Sequence, residues 1–299
     1  MSLAITGFSG FVGKNLVNYM NELHINVCLF SRNDLQNITI DQNISTILHL
    51  AGKAHDLKKT SNPDEYYQVN YELTKKLYDA FLKSNAKNFI FISSVKAVAD
   101  EVHEILTEDV EPNPQTHYGK SKLIAEQYIQ NQPLPAGKEY YILRPCMIHG
   151  PGNKGNLNLL FKLVKKGIPY PLAGFNNKRS FLSVENLCFI IKEIVEREDI
   201  PGGIYHVSDD EALSTNEVVS ILASSLNVKP RLWKIPPSFI RFFAQAGDRF
   251  HLPLTTERLN KLTENYVVSN QKIKRTLNKE FPISAVSGLI TTANSFNKD

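Results

Sequence analysis

The chain has 299 residues, 42% of them hydrophobic, and its 34 basic and 30 acidic side chains leave a formal charge of +4. That length and apolar share imply one large or two ordinary domains with a sizeable core, and they exclude a disordered or low-complexity chain. A charge so mild, with no block of five or more basic residues, argues against binding nucleic acid by phosphate neutralisation, and no apolar run approaches the roughly 18 residues of a membrane span.

Apolar runs predict strands at 3–6, 25–30 and 46–50, with a helix over 13–22 between the first two. The stretch 33–45 is short for a complete strand–helix–strand passage, so one element there is expected to be trimmed. A long helical pattern over 63–84 carries Tyr67, Leu73, Leu77 and Phe81 on one side. A buried strand follows at 88–92, a helix at 118–130 and a strand at 140–143. Beyond residue 150 the chain turns to Gly-, Pro- and Asn-rich loops (PGNKGN, GIPYPLAGFNN), which more often carry binding groups than core. A helix over 184–196, a Pro-Gly-Gly turn and a strand at 204–207 come next. Ser214 and Glu217 fit a capping box opening a helix to about 226. Alternating strands and helices predict an α/β fold, a doubly wound parallel sheet of Rossmann type with a smaller C-terminal region.

Three separated cysteines, Cys28, Cys146 and Cys188, imply neither a disulfide framework nor a metal knuckle. The N-terminus runs straight into a strand without a signal-peptide pattern, so a cytoplasmic protein is expected.

The first strand leads into Thr6-Gly7-Phe8-Ser9-Gly10-Phe11-Val12-Gly13 and then a helix. Gly7, Gly10 and Gly13 suit a tight turn, close approach of a pyrophosphate and helix-on-sheet packing, and the free N–H groups of the helix start, around Phe11 and Val12, suit phosphates. At the end of the second strand stand Ser31 and Arg32. A guanidinium there suits a 2′-phosphate, which favours NADP(H) while leaving NAD(H) open; a solvated surface Arg is the plain alternative. Tyr118 and Lys122 are four apart at a helix start and share one face, where an ammonium would lower the phenol pKa. Such a pair is commonplace on helices. It gains meaning from Ser94, at the carboxyl end of the strand NFIFI, where ligands of open parallel sheets bind.

Taken together these motifs resemble an extended short-chain dehydrogenase/reductase of the nucleotide-sugar epimerase/dehydratase branch. They are TGFSGFVG, LHLAG at 48–52, FISSVKAV at 91–98, YGKSK at 118–122 and LRPCMIHGPG at 143–152. The resemblance implies that Ser94, Tyr118 and Lys122 are catalytic. It implies that His49, Leu50, Ala51 and Gly52 form the segment lining the cofactor, that Asn70 matches an Asn on the following helix, and that Pro145 passes the nicotinamide. Asn156 and Leu157 match a pair touching the sugar-nucleotide diphosphate, and Arg179 an Arg facing the nucleotide. Arg258 matches a second such Arg only loosely, with a surface salt bridge as the alternative. On this basis 1–150 with about 180–207 holds the dinucleotide, and 151–179 with 208–299 the nucleotide sugar. A homodimer through the helices at about 66–84 and 118–130 is also implied, although core packing explains their stripes equally well.

Departures narrow the activity. Dehydratases of the family carry Asp-Glu after the catalytic hydroxyl, whereas Val95-Lys96 stands here, so 4,6-dehydration is not expected. His117 replaces a frequent Pro, His149 a frequent Tyr, and Met147 a substrate-contacting Asn. The expected activity is hydride transfer at C4 of a UDP-hexose or UDP-N-acetylhexosamine. Arg32 tilts it toward a 4-keto-sugar reductase; the alternative is a 4-epimerase with retained NAD. A non-catalytic nucleotide-sensing protein is disfavoured by the joint presence of Ser94, Tyr118 and Lys122. His55 and His103 read as surface loop residues without metal-ligand spacing. The stretch 236–243 (PPSFIRFF) is compatible with a membrane-touching amphipathic segment, but Phe239, Phe242 and Phe243 read as packing in the C-terminal region.

Overall fold

Residues 2–53, 62–250 and 254–297 are described in the computed structural model; His55 lies outside them. In chain order the first half comprises β1 (Ser2–Thr6), α1 (Phe11–Glu22), β2 (Asn26–Phe30), β3 (Thr46–His49), α2 (Pro63–Tyr67), a π-helical turn (Gln68–Glu72), α3 (Leu73–Lys83), β4 (Asn88–Ile92), α4 (His117–Asn131) and β5 (Glu139–Pro145). The second half continues with β6 (Met147–His149), α5 (Asn156–Lys165), β7 (Phe181–Ser183), α6 (Val184–Glu196), β8 (Gly203–Val207) and α7 (Thr215–Ser225). Four more helices close it: α8 (Pro237–Phe250), α9 (Thr256–Thr263), α10 (Gln271–Leu277) and α11 (Ala285–Phe296).

Six strands form one parallel sheet in the order β2-β1-β3-β4-β5-β8, and β6 and β7 pair separately. Parallel strands covered on both faces read as near-continuous apolar runs, and β1 and β3 are buried throughout, their polar residues Ser2, Thr6, Thr46 and His49 lying at the strand ends. Alternate residues then feed two cores. Leu3, Ile5, Leu48 and Ile90 pack with α1 and α6, whereas Ala4, Ile47, Phe89 and Phe91 pack with α3 and α4. A third core joins residues of α5, α7, α8, α9 and α11 into a smaller lobe. The strand β8 returns to the sheet beside β5, Leu143 facing Tyr205 in register.

Three expectations change in detail. Between β2 and β3 the chain forms neither helix nor strand, so β2 is the sheet edge, with Asn26 and Leu29 exposed and Phe30 buried. The helix expected over 63–84 contains the π-turn at Gln68–Glu72, which presses polar Asn70 fully into the interior. The third change is a correction: Phe239, Phe242 and Phe243 do not pack in the C-terminal region but are 61%, 66% and 57% exposed. The helix seats itself on Ile240, Ala244 and Gly247 instead. Gly247 lies so near the Leu254 carbonyl that a Cβ there would sit 1.8 Å from it, and this close seat turns the aromatic face outward.

The three cysteines are free thiols. No helix among the described residues is long and apolar enough to cross a membrane, and none of those residues forms a group of metal-ligating side chains.

Candidate active site

The turn after β1 has the geometry the glycines suggested. Gly7 has φ +72°, and a Cβ on it would lie 2.6 Å from the Ala51 nitrogen. A Cβ on Gly13 would lie 2.4 Å from the Gly7 carbonyl oxygen, so α1 crosses the strand end at a distance only glycine permits. Gly10 caps α1 without a side-chain bond, and the first turn holds no carboxylate. The first helical bond runs from the Lys14 N–H to the Gly10 carbonyl (3.0 Å), which leaves the N–H groups of Phe11 and Val12 without acceptors among the described residues. An uncapped helix start of this kind fits the diphosphate of a dinucleotide.

A hydrogen-bond chain holds loop 50–53 against this turn. The Ala51 N–H donates to Thr6 Oγ1 (3.2 Å), which lies 2.7 Å from His49 Nδ1; His49 Nε2 lies 3.0 Å from Thr74 Oγ1, which donates to the Asn70 carbonyl (2.7 Å). With Thr74 donating onward, Nε2 carries the proton and Nδ1 accepts from Thr6. Burial and the nearby Lys122 charge push His49 down to about 3, so this relay is neutral. Asn70 completes the clamp. Its Oδ1 accepts from the Lys53 N–H (2.7 Å), and its Nδ2 donates to the Lys53 carbonyl and Ser121 Oγ (both 3.0 Å). Its amide is thus spent on tying loop 50–53 to α4.

Ser94, Tyr118 and Lys122 converge beside that loop. Ser94 lies two residues past β4, is 8% exposed, and accepts from the Lys96 N–H at 3.2 Å. Tyr118 opens α4, which Thr116 caps through the Gly119 N–H, and its ring meets Tyr66 edge-on at 6.3 Å. Burial raises the phenol pKa, opposed by a hydrogen bond from Ser94. Lys122 is buried, donates to the Ile92 carbonyl at 2.9 Å, and stands 4.7 Å over the Phe91 ring. Burial brings its ammonium down to about 8, with Glu126 opposing. A Cβ on Gly52 would lie 3.1 Å from Lys122 Nζ. The expected lowering of the phenol by Lys122 is therefore not what the free site does: the ammonium is engaged at Ile92, and desolvation dominates at Tyr118.

A buried ionic network absent from the sequence reading fixes α4 against the sheet. Arg144 on β5 forks onto Glu126 of α4 (Nε at 3.1 Å from both oxygens, Nη2 at 2.6 Å), and Ser93, just past β4, donates to the same carboxylate. All three are at most 3% exposed. The readable signal was a lone Arg inside the apolar strand YYILRP, which a buried strand tolerates only with a partner. Asp34 was also missed. Its carboxylate closes the end of β2, accepting from the Ser31 N–H (2.7 Å) and Oγ (2.6 Å), which hold it below its usual range. Arg32 is exposed beside it and makes no ion pair among the described residues. Pro145 is buried at the end of β5, in register with Val207.

The other expected substrate residues separate. Asn156 is exposed at the start of α5, but the Leu157 side chain belongs to the third core, leaving only its backbone N–H outward. Arg179 reaches Glu264 (3.0 Å) and the carbonyls of Lys261 and Glu264. Lys96 lies near this pair, donating to the Asp100 carbonyl (2.7 Å) and covering the Tyr266 ring at 4.0 Å. Arg258 is exposed on α9. His149 is fully buried between Thr292 (2.9 Å) and Asp209 (3.8 Å), so it has no surface to offer a sugar. His117 is exposed, 3.3 Å from the Tyr67 hydroxyl, and His103 is exposed too. Met147 is 38% exposed.

The chain belongs to the NAD dependent epimerase/dehydratase family, whose model matches residues 3–208. It is an enzyme of the extended short-chain dehydrogenase/reductase class. It is similar to a Vibrio cholerae protein named UDP-glucose 4-epimerase, 31% identical over 99% of this chain and 95% of the relative. An Escherichia coli O157:H7 relative, named N-acetyl-alpha-D-glucosaminyl-diphospho-ditrans,octacis-undecaprenol 4-epimerase, is 29% identical over 92% of this chain and 85% of its own length. Among solved structures, RMD from Pseudomonas aeruginosa complexed with NADPH superposes with a TM-score of 0.77 at 20% identity, covering 100% of this chain and 99% of that one.

Proposed function

We propose that the protein transfers hydride at C4 of a UDP-linked hexose or N-acetylhexosamine, in the direction that reduces a 4-keto sugar with NADPH. The observation that carries this reading is the meeting of Ser94, Tyr118 and Lys122 beside loop 50–52, which touches Lys122 at one end and the glycine turn at the other. The nicotinamide, when bound along that turn and loop, supplies the hydride. Ser94 donates a hydrogen bond to the C4 oxygen. Tyr118 gives that oxygen its proton, and the burial that raises the phenol keeps it in the protonated form a donor needs. The Lys122 ammonium, one helical turn away on the same face, attracts the phenolate left behind until water returns the proton.

The free N–H groups at the start of α5, with Asn156, Arg179, Arg258 and Lys96, are assigned to the diphosphate side of the substrate. A sugar diphosphate is the part common to UDP-sugars and the lipid-linked compound in the E. coli relative's name, so these groups serve either carrier. The homodimer through α2, α3 and α4, and the division into a dinucleotide part (1–150 with about 180–207) and a sugar part, belong to this proposal.

The second reading, a 4-epimerase retaining NAD, draws on the name of the 31% identical relative. It asks Tyr118 to take the 4-OH proton first and to return it after the keto sugar has turned over. Purified enzyme given a UDP-4-keto sugar is expected to consume added NADPH. Interconversion of UDP-sugars with no net NADPH consumption would instead establish the epimerase.

Arg32 is proposed to select NADPH. The exposed guanidinium is the cation at the end of β2 that can meet a 2′-phosphate, while the Asp34 carboxylate beside it is turned onto Ser31. Arg32→Ala is expected to weaken NADPH binding by about 10- to 100-fold, the worth of one charge-assisted contact, while leaving NADH binding unchanged. Parallel loss of both cofactors in a fluorescence titration would remove the assignment.

A further inference from the structure

The aromatic face of α8 has no role in the site just described. Phe239, Phe242, Phe243 and Phe250 recur at helical spacing, and they include every phenylalanine among the described residues that is more than half exposed. With Ala246 they form one stripe along the helix, opposite the polar edge and beside the narrow face that seats α8 on the lobe. The chain's single tryptophan, Trp233, stands 58% exposed just before the helix.

The charge around this stripe is equally one-sided. Residues 229–250 carry Lys229, Arg231, Lys234, Arg241 and Arg249 against the single acid Asp248, an excess equal to the +4 of the whole chain. Asp248 is engaged by the Thr256 N–H (3.0 Å) and hydroxyl (2.5 Å). On a helical wheel Arg249 borders the stripe about 20° from Phe242. Arg241 leans across Phe175 at 5.8 Å. Between α5 and α7, Lys165, Lys229 and Arg231 line an open cavity of about 200 Å³ whose other walls are apolar or glycine, with Arg231 donating to the Gly167 carbonyl (2.9 Å).

We propose that α8 docks the enzyme in the plane of an anionic membrane surface, the phenylalanines entering the interfacial layer and the flanking cations meeting lipid phosphates. Aromatic rings bordered by Arg249 on a short helix, which the cationic stretch 229–234 leads into, fit that boundary, where rings find apolar chains and cations anionic headgroups. A protein partner or a second copy would have to supply carboxylates at matching positions, and this chain's own segment offers one, already bonded. Docking of this kind is peripheral and asks for no membrane-spanning helix. It does not depend on which sugar the site reduces.

Flotation of the full-length enzyme with vesicles tests it directly. The protein is expected to float with vesicles of phosphatidylethanolamine and phosphatidylglycerol, much less with phosphatidylcholine alone, and Trp233 emission is expected to shift to the blue on binding. Phe242→Ser with Phe243→Ser should weaken binding by about tenfold or more. Arg249→Glu with Lys234→Glu should remove the preference for anionic vesicles. These side chains are exposed and outside the proposed site, so melting temperature and turnover of a soluble sugar nucleotide should hold in all variants. Absence of flotation with the anionic vesicles overturns the proposal, as does undiminished binding by the double Phe variant. A concentration-dependent dimer that the same variant abolishes would assign the face to a second copy and overturn it as well. Loss of the proposed activity with vesicle binding intact would count against the catalytic reading alone.

Discussion

Tyr118→Phe is expected to lower kcat about 10³-fold and leave the melting temperature nearly unchanged. A positioned proton donor is worth about 10² to 10⁴ in rate, and a thousandfold loss corresponds to about 4 kcal/mol of barrier. Only the hydroxyl is removed. The ring that meets Tyr66 edge-on remains, and so does the cap on α4. Single-turnover reduction of a UDP-4-keto sugar by NADPH, followed beside a thermal melt, reads both quantities. An unimpaired Tyr118→Phe enzyme would falsify the assignment of the proton donor. The pH profile adds a sign. Lys122 has its folded pKa brought to about 8 from an ordinary 10.5, so its ammonium is lost as pH rises through 8. The rate constant kcat/KM should then fall above pH 8, because the phenolate formed on donation loses its counter-charge. The contribution of Lys122 to stability moves the other way. Above pH 8 the unfolded chain still binds a proton the folded one has released, so that contribution rises with pH toward 10.5. Falling rate with no loss of fold separates a titrating Lys122 from alkaline denaturation.

The strands of the sheet and the glycine turn were legible because parallel strands and tight helix–strand crossings leave strong local marks: continuous apolar runs and glycines at fixed offsets. The helix α6 falls where its pattern placed it, and Ser214 with Glu217 forms the anticipated capping box. What escaped was decided by tertiary contact. Asn70 was legible as a position, but its role as a clamp between Lys53 and Ser121 follows from the π-turn that buries it. Asp34 lies four residues beyond the strand end, and its bond to Ser31 is a local pair three residues apart that an apolar-run reading passes over. The phenol of Tyr118 was expected to be lowered by Lys122, but the Ile92 carbonyl, thirty residues away in sequence, takes that ammonium. The outward turn of the α8 phenylalanines depends on the seat at Gly247 against Leu254. Apolar periodicity shows that such a helix has a face and leaves open which body it meets.

Glu126→Ala is expected to destabilise the fold by about 3–5 kcal/mol, because it strands the Arg144 guanidinium in the interior without the carboxylate it pairs with among the described residues. Out of a typical total of about 5–15 kcal/mol, that is enough to make the enzyme partly unfolded at moderate temperature. Replacing both partners, Glu126→Leu with Arg144→Met, should recover much of the loss, since it removes the stranded charge and leaves the Ser93 hydroxyl as the group that loses its acceptor. Urea unfolding of the two variants and the parent measures the difference. A Glu126→Ala protein as stable as the parent would show that the ion pair is solvated in practice. The double variant carries a second, functional expectation. Glu126 is the group that opposes the lowering of Lys122, so even with stability restored its loss should move the alkaline limb of kcat/KM to lower pH. Because α4 presents Tyr118, Lys122 and Glu126 at successive turns, the network that anchors the helix also sets the proton affinity at its first turns. Stability recovered with an unmoved pH limb would confine Glu126 to anchoring.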